Sequence, residues 1–435
     1  MRVAIHTLGC KVNQYESQAM EEILTARGHT LVPFEDPADV YIVNSCTVTA
    51  TSDKKSRQAV RQARKRAPEA LVALCGCYPQ VSPEDARKID ADLIGGSGDR
   101  LGFLDLLEQM AGGKPLAEPV ERLDDPFHRR VFEALPAGGL EGRTRAMLKV
   151  EDGCTNFCTY CIIPYARGAV RSLPADQAAE QAKGLDRQGY RELVITGIEL
   201  STYGRDLPGR PDLASLIEAV CHAVPEMRVR LGSLEPRTVT EDFCTRLAAL
   251  PNLCPHFHLS LQSGSDTVLA RMKRKYTTQR FLESVRLLRA HFDRPALTTD
   301  LIVGFPGETE EEFQETLAFL QRCAFAQMHI FPYSRRQGTP AASMPGQLSN
   351  AEKASRAHRG AELAQAMERS WLTGWIGQTV PVLFEEEKDG FWRGHTPQYI
   401  EVRVKGEHLH NQLRPVTITA AGDSLAYGTV KEEQP

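Results

Sequence analysis

The sequence predicts an α/β protein with three parts: an N-terminal doubly wound parallel sheet, a central partial (β/α) barrel and a small C-terminal β-barrel. Three observations lead to this prediction. Strand and helix signals alternate through residues 1–112 and again through 144–370, the pattern of parallel sheets covered by helices. Glycine, proline and charged residues between them, 113–143, are typical of a linker. Residues 371–435 lose helical periodicity and show short strands separated by Gly, Asn and Asp.

The N-terminal region has three predicted strands, at 2–7, 40–44 and 70–74, with helices at 13–27 and 52–66 and another beginning at Ser82-Pro83. Cys10, Cys46 and Cys77 each follow one of these strands. Ligands of such sheets bind beyond the carboxyl ends of the strands, so we expect these three thiols to converge. A lone buried cysteine is usually a small core residue. That is our interpretation of Cys221, Cys244, Cys254 and Cys323. Cys75, two residues before Cys77, is either a core residue, which we favour, or a neighbour of the three thiols.

The central region contains six predicted strands, at 146–150, 192–196, 228–231, 256–261, 297–303 and 326–331. Helices are predicted between them, at 174–188, 212–223, 239–247, 279–290 and 309–321. Barrels of this kind carry their active site at the carboxyl ends of the strands, and Cys154, Cys158 and Cys161 follow the first strand. A helix over 350–372 leads to the terminal strands at 379–384, 399–404 and 416–420.

The composition narrows the class of protein. The 435 residues are 42% hydrophobic and 25% charged with a formal net charge of -4, so the chain is not polybasic throughout. No apolar run is long enough for a membrane span, and the first residues do not resemble a secretory signal. Eleven cysteines without an export signal indicate a reducing compartment, where clustered thiols bind metal or react. We expect a cytoplasmic, monomeric protein without a membrane partner.

Cys154, Cys158 and Cys161 lie on one short loop, where three thiolates can bind three corners of a 4Fe-4S cluster and leave one iron open. An open iron can bind the methionine end of S-adenosylmethionine (SAM), whose reductive cleavage gives a 5′-deoxyadenosyl radical. Structural zinc is the alternative, but no fourth Cys or His occurs in the next fifty residues. The pattern Cys-x3-Cys-x-Tyr-Cys at the head of a barrel resembles the radical SAM superfamily signature. That resemblance places Tyr160 near the adenine of SAM.

Polar residues on other loops at the same barrel end are candidates for binding SAM. Their side chains suit the ribose hydroxyls and the ammonium group, although each could instead shape a turn or cap a helix. The candidates are Thr196, Glu199, Ser233, Glu235, Gln262 and Asp300.

The residues around the N-terminal cysteines carry a second resemblance. Leu8-Gly9-Cys10-Lys11-Val12-Asn13, Asn44-Ser45-Cys46-Thr47-Val48-Thr49 and Gly76-Cys77-Tyr78-Pro79-Gln80 resemble the three cysteine motifs of the methylthiotransferase family. The resemblance covers essentially the whole chain. It implies an auxiliary 4Fe-4S cluster on Cys10, Cys46 and Cys77 and a C-terminal TRAM domain that binds RNA. In this family one SAM methylates a sulfide at the auxiliary cluster, a second provides the radical, and an electron donor is needed.

Lys11-Val12-Asn13 resembles the branch of this family that acts on threonylcarbamoyladenosine in the anticodon stem-loop of tRNA, as do Gly394-His395-Thr396 and Tyr399-Ile400. Pro397-Gln398 departs from the more usual Asn-Tyr pair. The expected reaction is methylthiolation of carbon 2 of the adenine. The alternatives are a sibling acting on isopentenyladenosine or a ribosomal-protein aspartate, a SAM-cleaving enzyme whose N-terminal thiols are only structural, and a non-enzymatic iron–sulfur carrier or RNA adaptor.

Two basic stretches suit contacts with RNA phosphates. The first stretch, residues 54–66, has no acidic residue and contains Lys54, Lys55, Arg57, Arg61 and Arg64. The second contains Lys273 and Arg274 next to Tyr276. A solvated helix face is the alternative for the first stretch. From residue 373 onward six Lys and Arg stand against nine Asp and Glu, so RNA contacts there must be local. The candidates are Arg393, His395, Tyr399 and Arg403.

Overall fold

A computed structural model describes residues 1–111, 119–137 and 144–431. Residue 112, two parts of the predicted linker, 113–118 and 138–143, and residues 432–435 lie outside the described residues. The predicted α/β architecture is confirmed, with a parallel N-terminal sheet, an open barrel and a closed C-terminal barrel.

The N-terminal sheet is parallel throughout and has the strand order β2-β1-β3-β4-β5-β6. Its strands are β1 (Arg2–Thr7), β2 (Thr30–Leu31), β3 (Val40–Ser45), β4 (Leu71–Gly76), β5 (Leu93–Gly95) and β6 (Val120–Arg122). Helices cover both of its faces, which confirms the doubly wound prediction. The helices are α1 (Lys11–Ala26) and α5 (Arg100–Ala111) on one face and α2 (Ala50–Arg66), α3 (Cys77–Val81) and α4 (Pro83–Ala86) on the other.

β6 lies in the segment whose composition predicts a linker. It pairs in parallel with β5 and forms one edge of the sheet, so this part of the segment belongs to the N-terminal sheet. The central strand β3 is buried at every position, because both of its faces are covered by helices.

The central barrel is open, and all its paired barrel strands are parallel. β11 and β12 are the two halves of one strand that breaks at Gly232, so that β11 pairs with β10 and β12 with β13. In chain order the strands are β7 (Arg145–Lys149), β8 (Glu151–Asp152), β9 (Arg171–Ser172), β10 (Glu192–Thr196), β11 (Arg228–Leu231), β12 (Ser233–Leu234), β13 (His256–Gln262), β14 (Ala296–Val303) and β15 (Gln327–Pro332). β8 and β9 form a separate antiparallel ribbon.

The helices of this region are α6 (Ile163–Arg167), α7 (Ala175–Arg187), α8 (Leu213–Ala223), α9 (Glu241–Ala248), α10 (Asp266–Arg271), α11 (Thr278–His291) and α12 (Glu310–Cys323). Side chains alternate along the barrel strands. Leu148, Leu259 and Leu301 pack in the large core shared with the helices. The polar residues between them, such as Lys149 and Asp300, therefore point into the barrel, whose interior is charged rather than a filled apolar core.

The C-terminal domain follows α13 (Asn350–Thr373) and is a closed five-stranded barrel with the order β16-β17-β18-β20-β19. Its strands are β16 (Thr379–Lys388), β17 (Phe391–His395), β18 (Glu401–Val404), β19 (Leu413–Ala421) and β20 (Ala426–Val430). Val382, Phe384 and Val402 lie in its core. In the part of the chain that the structure describes, no helix combines the length and the apolarity that crossing a membrane requires.

Candidate iron–sulfur and SAM sites

Cys10, Cys46 and Cys77 follow β1, β3 and β4, which are neighbours in the sheet. The segments that carry Gly9 and Cys46 lie very close together, because a Cβ atom at Gly9 would lie 2.7 Å from Cys46 Cβ. Gly9 also has a φ of +115°, so both the lack of space and the backbone conformation require glycine. Burial raises the pKa of the Cys46 and Cys77 thiols, and the negative charge of a neighbouring thiolate of the triad raises each of these pKa values further. The predicted convergence of these cysteines is thus present.

Arg167 connects this triad to the central barrel. It is fully buried at the end of α6, and its Nε donates a hydrogen bond to Cys77 Sγ at 3.3 Å. Its Nη2 donates to Asn13 Oδ1 at 3.0 Å, and the Cys10 thiol donates to the same oxygen at 3.6 Å. A residue that follows the barrel's cysteine loop therefore contacts the N-terminal triad directly.

The second triad lies on the loop after β8. Cys154 and Cys158 are buried and Cys161 is half-buried. Gly153 opens the loop with φ +94°, and a Cβ atom there would lie 2.0 Å from the backbone oxygen of Ala169, so only glycine fits. Burial raises the pKa of Cys154, and it raises the pKa of Cys161 to about 12. Because metal binding requires thiolates, cluster assembly must displace these protons.

The donor set of each triad suits an iron–sulfur cluster, because cysteine thiolates are the usual ligands of such clusters and three of them leave one iron without a protein ligand. Each triad also has an arginine N–H on one sulfur, since Arg274 Nη1 donates to Cys158 Sγ at 3.3 Å. Hydrogen bonds of this kind tune cluster potentials.

Two carboxyl groups lie beside the second triad. Glu199 Oε2 accepts a hydrogen bond from Asn156 Nδ2 at 3.2 Å, and Glu151 Oε2 accepts one from the Glu199 backbone N–H at 2.7 Å. Glu151 Oε1 is buried without a hydrogen-bond partner among the described residues. Burial raises the pKa of both carboxyls. A bound ammonium group would supply the missing partner, which fits the methionine end of SAM.

The other predicted SAM residues also lie at the carboxyl end of the barrel. Thr196 is buried at the end of β10, and Ser233 is exposed at the start of β12. Gln262 has φ +69° where the register between β13 and β14 shifts, an unusual backbone for this residue type. Asp300 Oδ2 lies 3.2 Å from His258 Nε2. Glu235 accepts from Arg237 at 2.8 Å, so its carboxylate is already partnered.

Tyr160 lies on the cysteine loop itself. It is half-buried and packs against a small cluster that contains Met272, Phe305 and Tyr333. Its place near the adenine of SAM stays a prediction.

Several residues predicted to contact RNA have side chains that already bind or pack against other residues of the protein, so their contact with RNA stays a prediction. Arg64 Nη2 donates to Asp92 Oδ2 at 2.7 Å and Arg274 donates to Cys158. Tyr399 stacks between His256 and His395, at centroid distances of 5.2 and 4.6 Å. The buried Tyr276 donates its hydroxyl to Leu261 O at 2.7 Å and presents no free face for a base.

The remaining basic candidates differ in their availability. Lys54, Lys55, Arg61 and Lys273 are exposed. Arg57 is half-buried and donates to the Tyr78 hydroxyl at 3.3 Å. Arg393 lies 3.8 Å from Glu386 and 3.6 Å from Asp389, so its charge is partly compensated. The five cysteines interpreted as core residues, Cys75, Cys221, Cys244, Cys254 and Cys323, are buried.

The sequence interpretation assigned no role to the buried ionic network between the N-terminal sheet and the barrel. The Glu16 carboxylate accepts from Arg100 at 2.9 Å, from Arg167 Nη2 at 3.1 Å and from Lys149 at 3.3 Å. Burial opposes ionisation, but the guanidinium groups of Arg167 and Arg100 hold the pKa of Glu16 well below its usual range. Glu16 stands six residues after Cys10 in the first cysteine motif, and that position is its only sequence signal.

Comparisons with known proteins agree with this geometry. Residues 148–320 match the family described as "Radical SAM superfamily", and residues 2–96 match "Uncharacterized protein family UPF0004". Two solved structures are similar in fold. They are the radical S-adenosylmethionine methyltransferase TsrM of Kitasatospora setae (TM-score 0.57, 15% identity, 78% of this chain and 75% of that chain) and the cobalamin-dependent radical enzyme OxsB (TM-score 0.55, 14% identity, 84% and 56%).

Curated relatives match over nearly the whole chain. The "Threonylcarbamoyladenosine tRNA methylthiotransferase MtaB" of Bacillus subtilis is 38% identical over 97% of this chain and 94% of its own length. The protein of that name in Thermotoga maritima is 38% identical over 94% and 92%. A "tRNA-2-methylthio-N(6)-dimethylallyladenosine synthase" of Symbiobacterium thermophilum is 34% identical over 99% and 94%. With its two cysteine triads, its open barrel and these relatives, the chain belongs to the radical SAM methylthiotransferase family.

Proposed function

We propose that this protein methylthiolates carbon 2 of the adenine in threonylcarbamoyladenosine, next to the anticodon of tRNA. The observation that carries the proposal is the pair of cysteine triads joined through Arg167, which contacts Cys77 and follows the loop of Cys154, Cys158 and Cys161. The relatives with 34–38% identity that bear the name of this activity support the choice of nucleoside.

A 4Fe-4S cluster bound at one triad would supply the electron that splits SAM into methionine and a 5′-deoxyadenosyl radical. Cys154, Cys158 and Cys161 would hold it, and Glu151 and Glu199 would bind and orient the ammonium group of SAM. Cys10, Cys46 and Cys77 would hold the auxiliary cluster. A radical route suits this substrate, because the C–H bond at carbon 2 is too inert for acid–base or nucleophilic chemistry.

We also propose that the closed C-terminal barrel is a TRAM-type RNA-binding domain, and that the exposed Lys54, Lys55, Arg61 and Lys273 bind tRNA phosphates. The reaction needs an external electron donor. We also propose that the enzyme is a monomer and acts in the cytoplasm. These proposals rest on the resemblance and on the exposure of the basic side chains.

The direct test is incubation of the anaerobically reconstituted enzyme with SAM, sulfide, a reductant and tRNA, followed by mass spectrometry of the nucleosides. We expect the methylthio derivative of threonylcarbamoyladenosine. Parallel reactions contain tRNA with isopentenyladenosine and the ribosomal protein substrate. Product in one of those reactions alone would contradict the proposed substrate. Absence of 5′-deoxyadenosine in every reaction would favour an iron–sulfur carrier or RNA adaptor.

Replacing Cys10, Cys46 and Cys77 together by Ala tests the auxiliary site. We expect the variant to form 5′-deoxyadenosine from SAM but no methylthio product, because the Cys154, Cys158 and Cys161 loop is unchanged. The matched control replaces the buried Cys221, Cys244 and Cys323, which lie in the barrel core, by Ser or Ala one at a time. Product formation by the triple variant would mean that the N-terminal thiols are only structural.

A further inference from the structure

Lys11 is the first residue of α1 and directly follows Cys10. Its side chain is exposed, and it makes no hydrogen bond or ion pair with another residue within 1–111, 119–137 and 144–431. A cation in the first turn of a helix is opposed by the helix dipole, so this position costs stability rather than adding to it. The structure of the isolated chain gives no compensating partner for this charge.

The surroundings of Lys11 add further positive charge. Lys11 lies one turn before Tyr15 on α1, and the Tyr15 ring lies 5.7 Å from Lys149 Nζ of the barrel strand β7, so this face of α1 meets the barrel. The guanidinium groups of Arg230 and Arg145 are near enough to Lys11 to repel its charge. Both arginines begin or lie within barrel strands and contact the ring of Tyr399, at 4.8 and 5.2 Å from its centroid. The ammonium of Lys11 therefore extends from the N-terminal sheet towards the interior of the barrel.

The acids near Lys11 are already engaged with other cations. Glu192 binds Arg228 at 2.5 Å and Arg230 at 2.8 Å, and Asp300 lies 3.2 Å from His258. Arg145 binds Glu385 at 2.7 Å. Among the described cations of this region, Lys11 is therefore the one whose ammonium has no acidic side chain paired with it. A carboxylate placed there would gain a charge-assisted hydrogen bond.

The same region has room for a ligand. Met328 and Ile330 of β15 pack on the helix side, so His329 and Phe331 point into the barrel. His329 is exposed and Phe331 is 47% exposed, which means that this part of the barrel interior is open. Lys11 thus stands at the edge of an open chamber and next to a ligand of the auxiliary site.

We infer that Lys11 is the residue that recognises the substrate carboxylate: its ammonium binds the threonyl carboxylate of threonylcarbamoyladenosine while the adenine lies between the two cysteine triads. This inference rests on the proposed function. Lys11 would then be a specificity residue, because an isopentenyl group has no anion to offer it. The positive charges of Arg145 and Arg230 also attract the substrate carboxylate, and the two arginines stabilise the wall of the chamber.

The test measures binding of anticodon stem-loop RNAs by fluorescence anisotropy with both clusters assembled. Three RNAs carry threonylcarbamoyladenosine, its carboxyl methyl ester or unmodified adenosine at the same position. We expect the wild type to bind the acid about tenfold or more tightly than the ester, the size of one charge-assisted hydrogen bond. Lys11→Gln should bind the acid and the ester equally, Lys11→Arg should keep most of the preference, and the control Lys183→Gln on α7 should behave as the wild type.

Equal binding of acid and ester by the wild type would overturn the inference without any mutation. An undiminished preference in Lys11→Gln would overturn it as well. Iron content and the spectra of both clusters verify that each variant is loaded. The proposed function fails in a different way: the wild type would then form no methylthio product from the acid-bearing tRNA, whatever its binding preference.

Discussion

Arg167 and Arg274 each donate a hydrogen bond to one cysteine sulfur of a different triad, at 3.3 Å in both cases. A donor on a ligand sulfur withdraws negative charge from a cluster and makes its reduction easier. Arg274 also lies 4.9 Å from the ring centroid of Tyr276, which fixes its direction. These two residues therefore allow the two sites to be adjusted separately.

Replacing Arg274 by Gln should lower the midpoint potential of the SAM-binding cluster and slow the formation of 5′-deoxyadenosine. The auxiliary cluster should keep its potential, because Arg274 donates to Cys158 and, among the residues that the structure describes, to no sulfur of Cys10, Cys46 or Cys77. Redox titration followed by electron paramagnetic resonance measures both values. Arg167→Gln is the matched variant and should give the reverse pattern. Equal shifts of both clusters in either variant would contradict the assignment.

At the scale of single residues, the sequence was informative where chemistry depends on local spacing. The Cys154, Cys158 and Cys161 loop and the strand ends at Cys10, Cys46 and Cys77 follow from patterns within a few residues. RNA contacts were predicted for Arg274 and Tyr399 because a basic or aromatic residue near others of its kind is typical of an RNA-binding surface, although it also occurs inside a protein. Only the fold, which brings Arg274 to Cys158 across 116 positions, distinguishes the two.

At the scale of elements, α12 carries a capping box in which Thr309 and Glu312 bind each other's backbone N–H groups. Glu312 also accepts from Arg271 at 2.6 Å. Burial would raise the pKa of Glu312, but its hydrogen bonds with Arg271 and Thr267 lower it to about 2, from an ordinary value of 4.5. The ionised carboxylate therefore stabilises the fold at neutral pH.

Replacing Glu312 by Gln should lower the free energy of unfolding by about 1–2 kcal/mol at neutral pH. Because the folded pKa is depressed, this contribution is complete above pH 4.5 and is lost as the pH falls towards 2. The difference between wild type and variant should therefore narrow at about pH 3, as measured by urea unfolding. Glu311→Gln, an exposed neighbour in the same turn, should have little effect at either pH. A difference that grows on acidification would contradict this assignment.

The α2 helix presents Lys54, Lys55 and Arg61 to solvent. Its N-terminus lies close to the barrel, because Arg336 binds both Asp53 and Thr47. Replacing the three basic residues together by Gln should weaken tRNA binding. It should also make the slope of log K for tRNA binding against the logarithm of the salt concentration less steep by roughly 2–3. Filter binding at several salt concentrations measures this slope. Lys183→Gln serves as the control, and an unchanged slope in the triple variant would place the RNA elsewhere.

At this scale, β6 shows what sequence reasoning misses. Val120–Arg122 is only three residues long and stands among Gly, Pro and charged residues, so its composition predicts a linker. Its pairing with β5 is a tertiary contact that local pattern does not encode. The longer barrel strands, by contrast, are predicted because alternating burial leaves a periodic signal in the sequence.

At the scale of the whole molecule, the N-terminal sheet and the barrel are joined by the buried network around Glu16. One carboxylate serves Arg100 from the sheet domain and Arg167 and Lys149 from the barrel. Burial opposes ionisation of Asp152, but Lys149, Arg167 and Arg171 lower its pKa to about 2. The relative position of the two triads depends on this network.

Replacing Glu16 by Gln should lower the free energy of unfolding by about 3–5 kcal/mol, because buried cations lose their main counter-charge. We expect loss of iron from the N-terminal triad first, since Arg167 would no longer be held against Cys77. Urea unfolding and iron content per chain measure the two effects. Glu22→Gln on the same helix is the control, because its buried Oε2 has no hydrogen-bond partner among the described residues and burial raises its pKa. Equal effects of both substitutions would contradict this role for Glu16.

The C-terminal barrel is anchored to the central one in a particular way. Arg228 and Arg230 donate to the backbone oxygens of His395, Thr396 and Pro397 rather than to their side chains. Peptide oxygens are present whatever residue occupies a position. The contacts of Arg228 and Arg230 would therefore survive substitution of His395, Thr396 or Pro397, whereas the ion pair of Arg145 with Glu385 depends on the side chain of Glu385.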